Sequence, residues 1–259
     1  MKTTPILSII TINYNNIDGL MKTVQSVFAQ SFKNFEYIII DGGSTDGSKE
    51  YIETIKEKLS YWVSEKDNGV YNAINKGIQK ATGEYLMFMN GGDCLHDSTV
   101  LGDIFEKTSI SEDVIYGDTL YLTADGTTVY KSCDEELSFE YLIKDDINHQ
   151  SCFIKRSLFD KFGLYDERLK IAADHKFFIA SIILGSATSK YVARCIAIYN
   201  LEGFSSKNEA MQYVERDQIH KEIIPPLVWA LYEENQKLKQ PAKKGFATRV
   251  INKIRRSLK

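Results

Sequence analysis

The sequence predicts an α/β fold, with a mostly parallel central sheet flanked by helices. About 90 residues at the start alternate four short apolar runs with segments whose apolar residues recur at helical spacing. That alternation is typical of parallel strands joined by crossover helices. A length of 259 residues suits one large domain with appendages, or at most two small domains.

The strands of the first half are predicted from apolar runs that stop at glycine, asparagine or aspartate. The predicted strands cover residues 6–12, 35–40, 61–64 and 84–89, and the predicted helices cover residues 20–28, 49–58 and 70–80. Asp18 is a candidate N-cap for the first of these helices. Four strands alternating with three helices indicate a parallel sheet with right-handed crossovers.

The second half predicts a small antiparallel region followed by C-terminal helices. Residues 120–122 and 128–130, joined by Ala124-Asp125-Gly126, predict a hairpin. Further strands are expected over residues 114–116, 149–154 and 195–199, and further helices over residues 138–143, from 156, from 172, over 208–224 and from 227. The pair Pro225-Pro226 separates the last two helices.

Two strand ends carry residues suited to binding a phosphate. The strand over residues 84–89 ends in residues 90–93, N-G-G-D, at the edge where ligands of open α/β sheets bind. The strand over residues 35–40 leads into residues 41–48, D-G-G-S-T-D-G-S, where glycines allow close backbone approach and a helix N-terminus favours negative charge. Together these turns predict that Asp93 holds a metal-bound phosphate.

Charge and cysteine content argue against several other classes of protein. Four cysteines lie far apart without a C-x-x-C pair, and the four histidines show no ligand spacing with them, which disfavours disulfides and zinc. The net charge is −3, yet residues 243–259 contain seven Lys/Arg and no Asp/Glu, which leaves −10 on the preceding chain. The acidic body disfavours nucleic-acid binding.

The sequence has no run near the ~18–20 apolar residues of a membrane span, and its N-terminus is a poor signal peptide. We therefore expect a cytoplasmic protein.

Several motifs occur in an order that resembles the family 2 glycosyltransferases of the GT-A fold, of the type that builds bacterial cell-surface polysaccharides. The motifs are residues 8–14 (S-I-I-T-I-N-Y), 41–48, 67–77 (D-N-G-V-Y-N-A-I-N-K-G), 81–85 (A-T-G-E-Y), 90–93 and 172–174 (A-A-D). Each motif is weak alone, but together they cover about residues 4–206.

The resemblance implies an inverting enzyme that takes its sugar from a nucleotide sugar, with a UDP-sugar favoured, and that uses Mn²⁺ or Mg²⁺. The acceptor would be a glycan or a lipid-linked glycan. Residues 1–206 would form the GT-A domain, with the nucleotide in residues 1–117 and the acceptor in residues 118–206. Residues 207–240 would form C-terminal helices, and residues 241–259 a basic tail.

The resemblance also assigns roles to individual residues. The nucleotide-binding set is Thr11, Asn13, Tyr14, Asp41, Gly42, Gly43, Asp67, Lys76, Gly91 and Gly92. Within this set, Asp41 would accept from a pyrimidine N–H, Asp67 would lie near the base or ribose, and Lys76 near the phosphates.

Four further residues complete the implied site. Asp93 would bind the metal and Asp174 would be the general base. His149, in the pair His149-Gln150, and His175 are candidates for the acceptor or the metal.

Each assignment has a structural alternative. Asp41 could cap a turn, Asp67 could lie in a solvated turn, and Lys76 could lie on a solvated helix face. Asp174 could be an N-cap, and His149 could be a satisfied buried histidine.

The sequence departs from the family at two positions. Relatives often carry D-x-D at the metal motif, whereas this chain has Gly91-Gly92-Asp93. With one carboxylate, we expect weak metal binding until the donor pyrophosphate supplies further ligands. Asn72 stands where relatives often carry aspartate, which puts an ionic role there in doubt.

The tail has its own pattern. Phe246, Val250, Ile254 and Leu258 recur every four residues among basic side chains. This predicts a short amphipathic basic helix that contacts an anionic membrane surface from the cytoplasm, which would make the protein peripheral on the inner face of the plasma membrane. The alternatives are a solvated tail or a helix packed on the body.

Two other functions are possible for a chain with this sequence pattern. A sugar nucleotidyltransferase would usually carry a G-x-G-T-R-type loop after the first strand, where this chain has Asn13-Tyr14-Asn15-Asn16. A non-catalytic module that binds sugar nucleotides or glycans would be consistent with the incomplete metal motif.

Overall fold

The computed structural model describes residues 4–239. The chain divides into two compact units, residues 1–217 and 218–259. The first unit therefore continues past residue 206, where the sequence predicts the GT-A domain to end. The amphipathic helix predicted for residues 243–259 lies outside the described residues.

The first half forms the parallel part of the sheet, as predicted. Its strands are β1 (Leu7–Asn13), β2 (Phe35–Asp41), β3 (Tyr61–Ser64) and β4 (Tyr85–Asn90), and its helices are α1 (Ile17–Phe28), α2 (Ser48–Ile55), which continues into a 3-10 turn at Lys56–Lys58, and α3 (Val70–Lys80). The strands pair in the order β3-β2-β1-β4, and all three pairings are parallel.

Burial on both faces explains why these strands read as continuous apolar runs. Ile9 and Ile10 are neighbours on β1 and so face opposite sides of the sheet, and both are buried, as a parallel sheet covered by helices requires. Each such side chain contributes about 1.5–3 kcal/mol by leaving water. The predicted N-cap of α1 is wrong: Asn16 accepts the Gly19 N–H, because the helix begins at Ile17 and Asp18 already lies in its first turn.

The second half adds strands that are mostly antiparallel. They are β5 (Cys94–Leu95), β6 (Val114–Leu122), β7 (Thr128–Lys131), β8 (Cys152–Lys155) and β9 (Ser189–Asn200). Strand β8 joins β4 to β6 by antiparallel pairing, β9 runs parallel to β6, and the predicted β6–β7 hairpin is present.

One long strand replaces a break that the sequence predicts. The sequence predicts a short strand that stops after residue 116. Strand β6 instead continues through Gly117 and Asp118, where its pairing with β9 shifts in register. A Cβ on Gly117 would lie 2.6 Å from the Arg194 carbonyl oxygen. The glycine therefore permits close contact with β9 instead of ending the strand.

The remaining helices lie in the second half of the chain. They are α4 (Val100–Phe105), α5 (Phe139–Lys144), α6 (Arg156–Phe162), α7 (Ala173–Phe178), α8 (Glu209–Ile223) and α9 (Pro226–Lys239). A π-helical segment, Ile179–Leu184, extends α7, and a 3-10 turn at His149–Ser151 replaces the start of a predicted strand. Within residues 4–239, no helix is long and apolar enough to cross a membrane.

Candidate functional site

The carboxyl ends of β1, β2 and β4 meet at one edge of the sheet. The register pairs Asn13 with Asp41 and Ile12 with Asn90, so the last residues of the three strands are neighbours. This is the edge at which parallel sheets bind ligands.

Asp41, the last residue of β2, is fully buried and connects β2 to β1 and β3 through hydrogen bonds. Its Oδ1 accepts from Ser44 Oγ (2.5 Å) and Asn13 Nδ2 (3.0 Å), and its Oδ2 accepts from the Ser44 N–H (2.9 Å) and Ser64 Oγ (2.6 Å). Burial raises the pKa of Asp41, but these bonds outweigh it and hold the pKa below its ordinary value. A carboxylate offers about four lone-pair sites, so a ligand N–H would have to share or replace one of these bonds.

The other predicted nucleoside residues differ in exposure. Thr11 is fully buried, with its hydroxyl 2.9 Å from the Tyr37 hydroxyl. Tyr14 is 68% exposed, and its ring lies against Gly42, where an added Cβ would come within 3.1 Å. Gly43 has a φ of +79°, a conformation that favours glycine. Of these residues, Tyr14 offers the accessible surface.

Asp67 and Lys76 form an ion pair beside this surface. Lys76 Nζ lies 2.6 Å from Asp67 Oδ1 and 2.7 Å from Glu65 Oε1. The other oxygen of Asp67 faces Gly42, whose added Cβ would be 3.0 Å away. Burial lowers the pKa of Lys76, but its bonds to the two carboxylates raise it above its ordinary value. The ammonium group is thus already held by two acids at the Asp67 end of the site.

The Gly91-Gly92 turn connects the nucleoside end to Asp93. A Cβ on Gly91 would lie 2.6 Å from Asn13 Oδ1, so a side chain there would displace that amide. Asn16 Nδ2 donates to the Gly91 carbonyl over 2.7 Å. Gly92 has a φ of +114°, and its N–H donates to Thr23 Oγ1 over 2.9 Å.

Asp93 is buried, with 3% of its surface exposed, and it has no cationic ion-pair partner in residues 4–239. Its Oδ2 accepts from Gln150 Nε2 (3.0 Å), and its Oδ1 accepts from the Asn200 N–H (3.0 Å). Burial raises the pKa of Asp93 to about 6, although these bonds and nearby His149 lower it.

The surroundings of Asp93 fit a divalent cation as half of a site. Its two hydrogen bonds come from neutral groups, so lone pairs remain on both oxygens. Carboxylate oxygens suit Mn²⁺ and Mg²⁺, and the two donors orient the carboxylate as metal ligands require. The described part of the chain holds no group of three His, Cys, Asp or Glu side chains that could hold a metal. A metal bound at Asp93 would therefore need further ligands, such as water or the phosphates of a substrate.

Asp174 lies at the N-terminus of α7, where His149, Tyr71 and its own backbone hold it. Its Oδ2 is 2.7 Å from His149 Nδ1, and its Oδ1 is 3.0 Å from both the Tyr71 hydroxyl and the His175 N–H. The single Tyr71 proton is shared with the Ile171 carbonyl, 2.5 Å away. Burial raises the pKa of Asp174, but the bonds, led by that from His149, lower it. The side chain is 20% exposed and keeps a free lone pair.

Within the described residues, one ring nitrogen of His149 has a hydrogen-bond partner and the other has none. Nδ1 contacts Asp174, whereas Nε2 is buried without a partner. Two further atoms at this edge, Asn13 Oδ1 and Asn90 Oδ1, are also buried without a partner in residues 4–239. Buried polar groups are rarely left unpaired, so these three atoms favour a polar ligand at this edge.

His175 is directed elsewhere. It is 1% exposed, and its Nδ1 lies 2.5 Å from Asp146 Oδ1. His149 therefore contacts Asp174 with its imidazole, whereas His175 contacts Asp174 with its backbone N–H and Asp146 with Nδ1.

Three contributors lie outside the predicted set of site residues. Gln150, Asn200 and Thr23 hold Asp93 or its turn, through two side chains and one backbone N–H. Only His149-Gln150 was noted in the sequence as a pair that could reach the metal or acceptor. Gln150 is 57 positions and Asn200 is 107 positions from Asp93, so no local pattern indicates either contact.

Comparisons of sequence extend these observations. The profile of glycosyl transferase family 2 matches residues 8–166. An uncharacterized glycosyltransferase of Mycobacterium tuberculosis is 34% identical over 189 residues, which is 71% of each chain. A PGL/p-HBAD biosynthesis glycosyltransferase of Mycobacterium bovis is 29% identical over 201 residues, covering 76% of this chain and 77% of the relative.

Comparisons of structure give the GT-A fold. S. aureus TarS 1–349, solved with UDP-GlcNAc, has a TM-score of 0.63 at 19% identity, over 78% of this chain and 60% of TarS 1–349. The mannosyltransferase PcManGT from Pyrobaculum calidifontis, solved with GDP-Man and Mn²⁺, has a TM-score of 0.57 at 15% identity, over 76% of this chain and 57% of that chain. The expected fold class is thus confirmed.

Proposed function

Since the chain belongs to glycosyl transferase family 2, we propose that it transfers a hexose or N-acetylhexosamine from a UDP-sugar to a glycan or lipid-linked glycan, with inversion and with Mn²⁺ or Mg²⁺. The product would belong to a cell-surface polysaccharide or glycolipid. Relatives named for PGL/p-HBAD biosynthesis and the TarS complex with UDP-GlcNAc support the classes of acceptor and donor.

One observation carries the proposal: adjacent residues hold two carboxylates, buried Asp93 and half-buried Asp174, whose pKa values shift in opposite directions. Gln150 bonds to Asp93, whose pKa is raised to about 6, and His149 bonds to Asp174, whose pKa is lowered. A buried carboxylate with no cationic partner in residues 4–239 suits a divalent metal that also binds a diphosphate. An ionised, oriented carboxylate with a free lone pair suits a general base.

A divalent metal bound at Asp93 would neutralise charge on the leaving diphosphate. This chain's own residues orient that carboxylate through Gln150 and the Asn200 N–H. The nucleoside would lie against Tyr14, Gly42 and the Asn13–Asp41 pair at the neighbouring strand ends. Inversion requires the acceptor hydroxyl to attack opposite the diphosphate.

Asp174 would take the proton of that hydroxyl as the new bond forms. Its lowered pKa keeps it ionised at neutral pH, and its free lone pair can accept the hydroxyl hydrogen. His149 and Tyr71 hold the carboxylate in place during the transfer.

Donor binding and turnover test the proposal together. Purified protein is screened by thermal shift against UDP-, dTDP- and GDP-sugars with and without Mn²⁺, and the best donor is then incubated with acceptors. We expect a shift that needs both a UDP-sugar and Mn²⁺, together with sugar transfer. Asp93→Ala should remove the metal-dependent part of the shift, and Asp160→Ala, at an exposed carboxylate of α6, should keep it.

Two outcomes would count against the proposal. Binding of the donor without transfer or hydrolysis would favour the non-catalytic module, for which the single carboxylate at residues 91–93 is the supporting observation. A metal-dependent response to GDP-sugars alone would overturn the choice of nucleotide.

Membrane contact through residues 243–259 is a separate part of the proposal, supported by seven Lys/Arg without an acidic residue. Vesicles of neutral lipid and vesicles with anionic lipid are sedimented with the full chain and with a chain ending at residue 240. Binding to anionic vesicles that is lost on truncation and at high salt is expected. Equal binding by the two chains would overturn this part.

A further inference from the structure

The backbone directly before Asp174 is held by a carboxylate from a later helix. Residues 170–172 present three consecutive N–H groups to Glu215 of α8. Glu215 Oε1 accepts from the Lys170 N–H (2.7 Å), and Oε2 accepts from the Ile171 N–H (2.9 Å) and the Ala172 N–H (3.0 Å).

Burial makes these three bonds strong. Glu215 is only 8% exposed, and hydrogen bonds to an ionised acceptor are about twice as strong as neutral ones. Without Glu215, the N–H groups of Ile171 and Ala172 would be left buried without their acceptor. Glu215 therefore helps to fix the position of residues 170–172.

The opposite side of the same segment is also held. The Ile171 carbonyl accepts from the Tyr71 hydroxyl, which also reaches Asp174 Oδ1. Glu215 and Tyr71 thus bind Ile171 from its N–H and its carbonyl. The position of Ile171 fixes where the Tyr71 proton is shared, and so one of the contacts of Asp174.

The next residue of α8 supports the other side of Asp174. Arg216 Nη1 lies 2.9 Å from Asp146 Oδ2, and Asp146 Oδ1 contacts His175 Nδ1. Arg216 Nη2 also donates to carbonyl oxygens at the C-terminal end of α5, including Asp145 (3.1 Å). Adjacent residues of α8 thus hold the segments before and after Asp174.

We propose that Glu215 is a positioning residue for the transfer reaction, and that α8 sets the orientation of Asp174 through residues 170–172. The inference rests on the proposed function, because it takes Asp174 as the general base. Glu215 lies beyond residues 8–166, which the family profile matches, and its three hydrogen bonds come from the backbone of residues 170–172.

A purely structural role for Glu215 predicts a different result from a positioning role. A structural role would lower the stability of the fold, donor affinity and turnover together. A positioning role lowers kcat while the donor site at β1, β2 and β4 keeps its affinity. The experiment must therefore separate kcat from the donor KM and must observe residues 170–172 directly.

The test compares Glu215→Gln with a matched control, Glu209→Gln, which removes an exposed carboxylate from the same helix. Glutamine keeps one oxygen but turns an NH₂ group towards backbone donors, so the three bonds cannot all survive. Amide hydrogen exchange is measured by mass spectrometry on the peptide covering residues 168–176, and kcat and KM for donor and acceptor are measured in parallel.

We expect Glu215→Gln to speed exchange at residues 170–172 and to lower kcat by about 10- to 100-fold, since displacement of a reacting group by about 1 Å can cost that much. The donor KM and exchange in β1 should stay within twofold of the wild type, and Glu209→Gln should match the wild type throughout.

Three results would overturn the inference. The first is faster exchange at residues 170–172 with unchanged kcat. The second is a parallel loss of β1 protection, donor affinity and kcat, which is the structural outcome. The third is unchanged exchange at residues 170–172 in Glu215→Gln. Hydrogen exchange needs no turnover, so this result bears on Glu215 alone, whereas an inactive wild type would count against the proposed function.

Discussion

Asp93 and Asp174 are held by adjacent residues of one 3-10 turn: Gln150 donates to Asp93 Oδ2 over 3.0 Å, and His149 Nδ1 lies 2.7 Å from Asp174 Oδ2. The turn at His149–Ser151 thus fixes the spacing between the two carboxylates. A helical turn directs consecutive side chains apart, which lets neighbours in sequence serve two different carboxylates. We infer that this turn sets the position of the proposed metal ligand, Asp93, relative to the proposed general base, Asp174.

Asp174→Asn should lower kcat by about 10²–10⁴-fold, the usual contribution of a positioned general base. The amide keeps the size of the side chain but cannot take a proton at neutral pH. Donor binding, measured by thermal shift with UDP-sugar and Mn²⁺, should be unchanged. Near-normal turnover by the variant would remove Asp174 from the mechanism, and Asp160→Asn serves as the control for loss of a carboxylate.

His149→Ala should lower kcat and move the acidic limb of the pH profile of kcat/KM to higher pH. The reason is that burial raises the pKa of Asp174, and the bond from His149 leads the interactions that lower it. Without that bond, the carboxylate would be protonated at a higher pH. His149→Asn, which can place an N–H near the position of Nδ1, should restore part of the shift. An unmoved limb in His149→Ala would contradict the role of this bond.

Asp93 should make the protein less stable as pH rises through about 6. Its folded pKa, about 6, lies above the ordinary 3.8, so folding takes up a proton between these values. The resulting stabilisation is present below the lower value and is lost above the higher one, and two pKa units correspond to about 3 kcal/mol. Denaturant unfolding from pH 4.5 to 7.5 should therefore show wild type losing stability relative to Asp93→Asn.

A matched control for this pH dependence is Asp166→Asn. The bonds from Arg168, followed by Lys176, hold the pKa of Asp166 below its ordinary value, so its titration lies below the window tested. The stability difference between wild type and Asp166→Asn should be flat from pH 4.5 to 7.5. If the stability difference between wild type and Asp93→Asn is equally flat, Asp93 is ionised over the whole range. Burial would then raise its pKa less than the structure indicates.

Sequence periodicity predicted the parallel half of the fold well because those strands are buried on both faces and each ends at a turn residue. The bounds of β3 and α3 match the expected ones, and β1, β2 and β4 differ by a residue or two. The short elements α4 and β5 carry too few residues to show a period, and neither was predicted.

The site was predictable where its residues belong to local motifs. Asp41, Gly91 and Asp93 stand in turns that the sequence marks, and the structure brings these turns to one edge. The partners of these residues were not predictable, since Ser64 reaches Asp41 from β3 and Gln150 reaches Asp93 from the second half of the chain. The contact of Glu215 with residues 170–172 was not predictable either, since its helix was expected to lie outside the GT-A domain. Such long-range contacts depend on the fold and leave no local pattern in the sequence.

Gly91→Ala should weaken donor binding without unfolding the protein. The added Cβ would lie 2.6 Å from Asn13 Oδ1, and the next nearest atoms are 3.5 Å away, so the Asn13 amide must move. That amide donates to Asp41, so its movement disturbs the proposed nucleoside pocket. We expect the donor KM to rise about tenfold, which corresponds to about 1.4 kcal/mol, with a melting temperature near that of the wild type. Gly203→Ala, whose Cβ would meet nothing closer than 3.5 Å, is the control, and equal donor KM values for the two variants would place the nucleoside away from Asn13.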